Sequence, residues 1–161
     1  MKLFFIICLI ASINSTLVGQ HLALTFNDAE NQGLTIKSLD EIYINAVHSD
    51  TTLAVFKSEK NQKEFIDQYI KLLKDLGDFL NENNFNWEKP TKCFNRIYFN
   101  EDGTIDYFLF NFLGKAEDKP SELNQIEFNR LLNQFIQDYA IPITAKTKFS
   151  QCSPMTFMPK K

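Results

Sequence analysis

Apolar residues recur at steps of three and four along two stretches of the chain. In the first, Phe65, Tyr69, Leu72, Leu73, Leu76, Phe79 and Leu80 form one stripe, with Lys63, Asp67, Lys71, Lys74, Asp75 and Asp78 filling most remaining positions. This pattern, with a capping signal at Asn61 to Glu64, predicts an amphipathic helix over 61–83. Gly77 inside it costs about 1 kcal/mol relative to alanine, which points to a bend or a close helix contact. In the second stretch, Ser121 is a suitable N-cap. Phe128, Leu131, Leu132, Phe135, Ile136 and Tyr139 follow, and Pro142 pushes Ile141 out of the helical region, so a helix is expected over 122–140. A weaker signal lies upstream. Ser38 and Glu41 have capping-box spacing, and Leu39, Ile42, Tyr43, Ala46 and Val47 suit a short helix over 39–48.

Between the two clear helices the period changes to two. Residues 93–99 and 104–112 are rich in aromatic and β-branched types, and Asn100-Glu101-Asp102-Gly103 between them suits a tight turn with Gly103 in the left-handed region. Residues 146–152 alternate around Phe149 as a closing strand, which 155–157 either extend or leave to cover the core. Residues 22–26 and 34–36 are short β-like pieces, and 51–56 read as a strand or a lead-in to the next helix. The fold class expected is α+β: a helical N-terminal part followed by an antiparallel β-β-α-β module, a three-stranded sheet packed on helices. Residues 20–37 form an N-terminal arm, poorly ordered or in short strands, and 38–161 a single domain.

Both faces of the hairpin are apolar, so it is either covered on both sides or displays an aromatic patch to a partner. Arg96, Tyr98, Phe108, Phe110 and Trp87 are the partner-binding candidates. Each has a plainer reading. Arg96 either clamps a carboxylate ligand or lays its stem over apolar surface and pairs at the rim. Trp87 either anchors an interface or packs beneath a loop.

The first residues change the setting. Met1-Lys2, the apolar run Leu3 to Ile13 and polar Asn14 to Thr16 have the layout of a secretory signal peptide, roughly half the length of a membrane span. Cleavage after Gly19, with Ser15 as the alternative, removes residues 1–19 and leaves no membrane span. Loss of Lys2 moves the formal charge from −3 to −4. A secreted or periplasmic destination makes the two remaining cysteines a candidate Cys93–Cys152 disulfide. Its 60-residue loop would bring about 4 kcal/mol on the chain-entropy account, and unpaired thiols are the alternative. The chain is of ordinary globular composition, 44% hydrophobic and 23% charged, and its acidic balance leaves no basic field for nucleic acid.

Candidate chemistry is sparse. His48-Ser49-Asp50 cannot act as a triad, because adjacent residues do not set the base between nucleophile and acid. Asp102, Thr104 and Asp106 have calcium-loop spacing, but Leu113 stands where the closing glutamate belongs. No metal site, cofactor or catalytic residue is assigned. The acidic pairs Asp40/Glu41, Glu101/Asp102 and Glu117/Asp118 leave a carboxylate hydrolase as an alternative. From Cys93 onward, the segment Arg96 to Phe108, a hairpin turning on Asp102-Gly103, is followed by a helix and a closing strand. This order over 92–157 resembles the C-terminal domain of TonB-like proteins and the small exported bacterial proteins with that core. The resemblance implies a sheet that binds other chains along an edge or pairs with itself, although residues 20–89 lack TonB's proline-rich spacer. The expected function is a non-catalytic binding or scaffolding module of the periplasm or cell envelope, with a protein partner or self-association through the hairpin. A small secreted hydrolase or a secreted inhibitor is the alternative.

Overall fold

The computed structural model describes residues 21–160; the expected signal segment, with Cys8, lies outside the described residues. The hairpin forms the centre of the sheet. Its strands are Thr91–Phe99 (β3) and Ile105–Phe112 (β4), and Gly103 takes φ +87° in the turn. Gly103 is needed there for a second reason: a Cβ would stand 2.3 Å from the Ile141 carbonyl oxygen and 2.7 Å from that of Ile143. Glycine thus lets the segment after the last helix close over the turn, where Ile141 N–H donates to the Gly103 carbonyl.

The sheet has five strands, not three, and it is mixed. Leu22–Thr25 (β1) lies parallel to β4, and Phe149–Phe157 (β5) runs antiparallel to β3 along its whole length. Ile44–Asn45 (β2) lies parallel to the start of β5, giving the order β1-β4-β3-β5-β2. The α+β class therefore holds while the three-stranded antiparallel arrangement is corrected. The parallel edge strands are too short to announce themselves: β1 has four residues and β2 two, and each relies on a longer neighbour for pairing.

The long helices Glu59–Glu82 (α3) and Glu122–Asp138 (α4) lie over the predicted stripes. Ser121 caps α4 as expected, whereas α3 starts two residues early, capped by Ser58 rather than by the Asn61 signal, because the Ser58 hydroxyl accepts from the Asn61 N–H. They bury Phe65, Tyr69, Leu72, Leu76 and Leu80, and Phe128, Leu131, Leu132, Phe135 and Ile136, against one face of the sheet. Nothing approaches Gly77 within 4 Å of where a Cβ would stand, so no close helix contact explains it. The other face is covered at one end by two short helices, Phe26–Asn31 (α1) and Ile36–Asp40 (α2), capped by Thr25 and Thr35. Residues 34–36 are thus not a strand.

The expected helix over 39–48 is also corrected. Its apolar residues serve two different cores: Leu39 and Tyr43 are buried on the α1–α2 side, whereas Ala46 is buried on the α3–α4 side. A single helix would keep them on one side. The chain instead ends α2 at Asp40, crosses the sheet margin as β2, and leaves Ile42 57% exposed on the way. Residues 51–56 are the lead-in, beginning with a 3₁₀ turn at Thr51–Leu53.

Both margins of the sheet are guarded. The Asn133 side chain takes the place of a neighbouring strand at β1, accepting from Ala23 N–H and donating to Ala23 C=O at 2.9 Å each. At β2, Val55 and Phe56 donate to the Asn45 and Ala46 carbonyls. β5 extends beyond β2, which pairs with it only at Phe149 and Ser150. Ala46 donates to the Ser150 carbonyl, so alternation along β5 turns the backbone of Cys152, Pro154 and Thr156 toward the same open side. Pro154 has no N–H to offer an incoming strand, a recognised way to blunt an edge.

Candidate functional site

The predicted hairpin residues do come together, but inside the molecule. Phe108 and Phe110 point to the α3–α4 side, where Phe110 meets Phe128 edge-on at 5.1 Å between ring centres. Trp87, on the loop before β3, is buried and stacked on Phe157 at 4.5 Å. Tyr98 is fully buried on the opposite face against Tyr43. Arg96 is half-buried; its outer nitrogen pairs with Asp40 from the end of α2. Trp87, Tyr98, Phe108 and Phe110 are core, so of the two readings of the hairpin the buried one holds for its aromatic candidates.

The Cys93–Cys152 crosslink is likewise corrected. Both thiols are free, Cys93 buried and Cys152 exposed. The β3–β5 register sets Cys93 opposite Met155 and Cys152 opposite Arg96, so the two sulfurs lie on opposite faces of the sheet. No disulfide spans that arrangement without turning a strand over. Burial pushes the Cys93 thiol up to about 12, with its sulfur beside the Asn95 amide.

The candidate carboxylates disperse. Asp40 holds Arg96, Asp102 caps its own turn through Thr104, and Asp118 accepts from the Lys115 N–H. Asp102 and Asp106 do not converge on a cation. Asp106 is the extra residue of a bulge, since Tyr98 pairs with Tyr107 and Phe99 with Ile105. Bulges re-aim side chains, and this one sends a carboxylate into the core of the α1–α2 side. There its Oδ2 accepts from the Tyr43 hydroxyl at 2.8 Å and from Lys148 Nζ at 2.7 Å. Burial and the Asp106 hydrogen bond together raise the Tyr43 hydroxyl far above the usual tyrosine range. The sequence signal for this triad is one acidic residue inside an aromatic strand. Its partners at 43 and 148 depend on the crossing of β2 and the register of β5.

A concavity lies elsewhere, at the β2 end of the sheet. A groove of about 560 Å³ lies between residues 54–57 and 144–147, with Ile44 on its wall. Its size is within the range of natural ligand sites. Lys57 and Lys146 line it with Asn61, Thr144 and Thr147, and no carboxylate does, although acidic residues outnumber basic ones 20 to 17 in the chain. Ile44, 45% exposed, and the half-buried Val55 give it apolar surface. No sequence motif marks these residues; two loops distant in the chain meet only because β2 pairs with β5.

Among the described residues, no group of three metal-ligating side chains gathers, and no helix is long and apolar enough to cross a membrane. Comparison with protein-family models, with curated proteins and with solved structures finds no match.

Proposed function

We propose that this chain is an exported binding module without catalysis of its own, and that its site is the groove beside β2. The observation that carries this reading is the groove's charge: two lysines and no carboxylate around an apolar wall, in a chain of net negative charge. The occupant that fits is an extended peptide segment bearing acidic and apolar side chains, because the concavity is an open trough between two stretches of chain. The order of elements from 92 to 157 supports the TonB-like binding role. Pro154 on the open side of β5 favours the groove over strand addition at that margin.

The test is fluorescence anisotropy with labelled decapeptides alternating Leu with Asp or Glu, using Leu–Lys peptides and decanoate as comparison probes. Acidic peptides should bind and Leu–Lys peptides should not. Lys57→Glu combined with Lys146→Glu should weaken binding at least tenfold, about 1.4 kcal/mol, and added salt should weaken it further. Binding indifferent to the charge reversal, or decanoate alone binding, would overturn the peptide reading.

A further inference from the structure

On the sheet face turned toward α1 and α2, two adjacent cross-strand pairs, Arg96 with Cys152 and Tyr98 with Ser150, set four side chains at the corners of a small square. Directly opposed residues stand about 4.5–5.5 Å apart at Cβ. Three corners carry a buried polar atom with no hydrogen-bond partner: Arg96 Nε, Tyr98 Oη and Ser150 Oγ. Only one other such atom, Asn95 Nδ2, occurs among the described residues, and it belongs to the opposite face. Tyr98 is fully buried and Ser150 is 1% exposed, whereas the fourth corner, Cys152, is open to solvent. The sulfur lies close enough to Arg96 and Tyr98 to act on both electrostatically.

Buried donors without acceptors are costly, so a cluster of three asks for an explanation. Arg96 Nε–H can only donate, and each hydroxyl can donate as well. The set therefore suits an acceptor oxygen. Asp40 already holds the outer nitrogen of Arg96 and leaves Nε to the square. Burial of three corners disfavours a bulky free ligand, while an oxygen attached to the Cys152 sulfur is presented from the exposed corner.

We propose that Cys152 is a site of oxidation by hydroperoxides, and that the oxygen it gains is held by Arg96, Tyr98 and Ser150. The Cys152 thiol first loses its proton to solvent. The thiolate sulfur attacks one peroxide oxygen; an S–O bond forms as the O–O bond breaks, and two electrons pass from sulfur to the peroxide. The departing hydroxide or alkoxide takes a proton from water and leaves as water or an alcohol. The product is the sulfenic acid, the first and reversible step of cysteine oxidation. Hydrogen bonds from the square lengthen its life against further oxidation.

Reduced full chain is treated with hydrogen peroxide, trapped with dimedone at increasing delays and examined by mass spectrometry, with thermal melts on the same samples. Labelling should fall on Cys152 and spare Cys93, and oxidation should raise the melting temperature. Tyr98→Phe combined with Ser150→Ala should shorten the sulfenic lifetime at least tenfold and abolish that rise. Should the double variant fail to fold, Arg96→Lys keeps the charge beside Asp40, loses the Nε donor and should shorten the lifetime in the same direction. An unchanged lifetime in the folded variant, equal labelling of the two cysteines, or a fall in melting temperature on oxidation of the native chain would overturn the proposal.

Discussion

The two faces of the sheet are built on different principles. Toward α3 and α4 the packing is almost wholly aromatic and aliphatic: Phe99 stacks on Phe149 at 5.1 Å, and Phe128 sits among Phe85, Trp87, Phe110, Phe112 and Phe157. Toward α1 and α2 the cover is smaller, and polar groups enter it: the Asp106 triad, the Arg96–Asp40 pair and the unpartnered hydroxyls of Tyr98 and Ser150. The same strands supply both faces. One face therefore bears most of the stability, and the other can hold groups that an optimised core would exclude. Mutations on each side should separate these roles.

The largest effect is expected on the aromatic side. Phe128→Ala removes the ring around which five others are arranged and should cost about 3–5 kcal/mol, read as a shift in urea midpoint without a change of slope. A loss below about 1 kcal/mol would mean that the neighbouring rings collapse into the space, and that this face is looser than its ring geometry implies.

Asp106→Ala breaks the equivalent centre on the polar side. It leaves the Tyr43 hydroxyl buried without its acceptor, and the expected cost is about 1–3 kcal/mol. Lys148 is 36% exposed at its side chain and can turn to water, which keeps the effect below that of Phe128→Ala. If Asp106→Ala costs more than Phe128→Ala, the division of labour between the faces is reversed.

The legibility of the fold follows the same division. Helices α3 and α4 and the central hairpin were readable because each presents a continuous stripe or alternation to the large core, with caps at Ser121 and a required glycine at 103. Elements on the polar side were not. Leu39, Tyr43 and Ala46 have helical spacing, yet they serve opposite faces, and no local pattern reports that a chain crosses a sheet margin. The candidate residues fared similarly: Arg96 and Tyr98 were singled out for their chemistry, but Ser150 and Cys152 become their neighbours only through the β3–β5 register. That register also separates the two cysteines, which a count of sulfurs could not foresee.

A smaller effect of opposite sign distinguishes the faces further. Tyr98→Phe removes a buried hydroxyl that has no partner, so the reduced protein should gain about 1 kcal/mol. Alkaline pH supplies an independent check. Burial pushes the Tyr98 hydroxyl up to about 12, against partial relief from Arg96, and burial likewise pushes Tyr69 up to about 12. The unfolded chain ionises its tyrosines near 10, so between about pH 10 and 12 it has given up protons that the folded chain retains. Stability contributed by these groups is complete below pH 10 and is lost as pH rises to 12. Cys93 extends the window down to its ordinary value of 9. Tyr98→Phe should flatten the fall between pH 10 and 12, and Cys93→Ala should delay its onset, both visible in urea midpoints measured across pH. A Tyr98→Phe curve parallel to that of the native chain would show that its hydroxyl is accessible to hydroxide in the folded state.

The smallest effect lies outside both cores, on α3. Gly77 is in mid-helix with nothing within 4 Å of its missing Cβ, and it takes no positive φ. Gly77→Ala should therefore stabilise by about 0.5–1 kcal/mol, through the lower backbone entropy of the unfolded chain and without any new contact. The comparison with Gly103 gives this prediction its edge. At Gly103 the carbonyls of Ile141 and Ile143 and a φ of +87° forbid a side chain, so the same substitution there should destabilise. A loss at position 77 would mean that α3 must bend or move against its neighbours in a way its packing does not disclose. A gain would leave α3 as a rigid support for the aromatic face and confine what is adjustable in this molecule to the polar one.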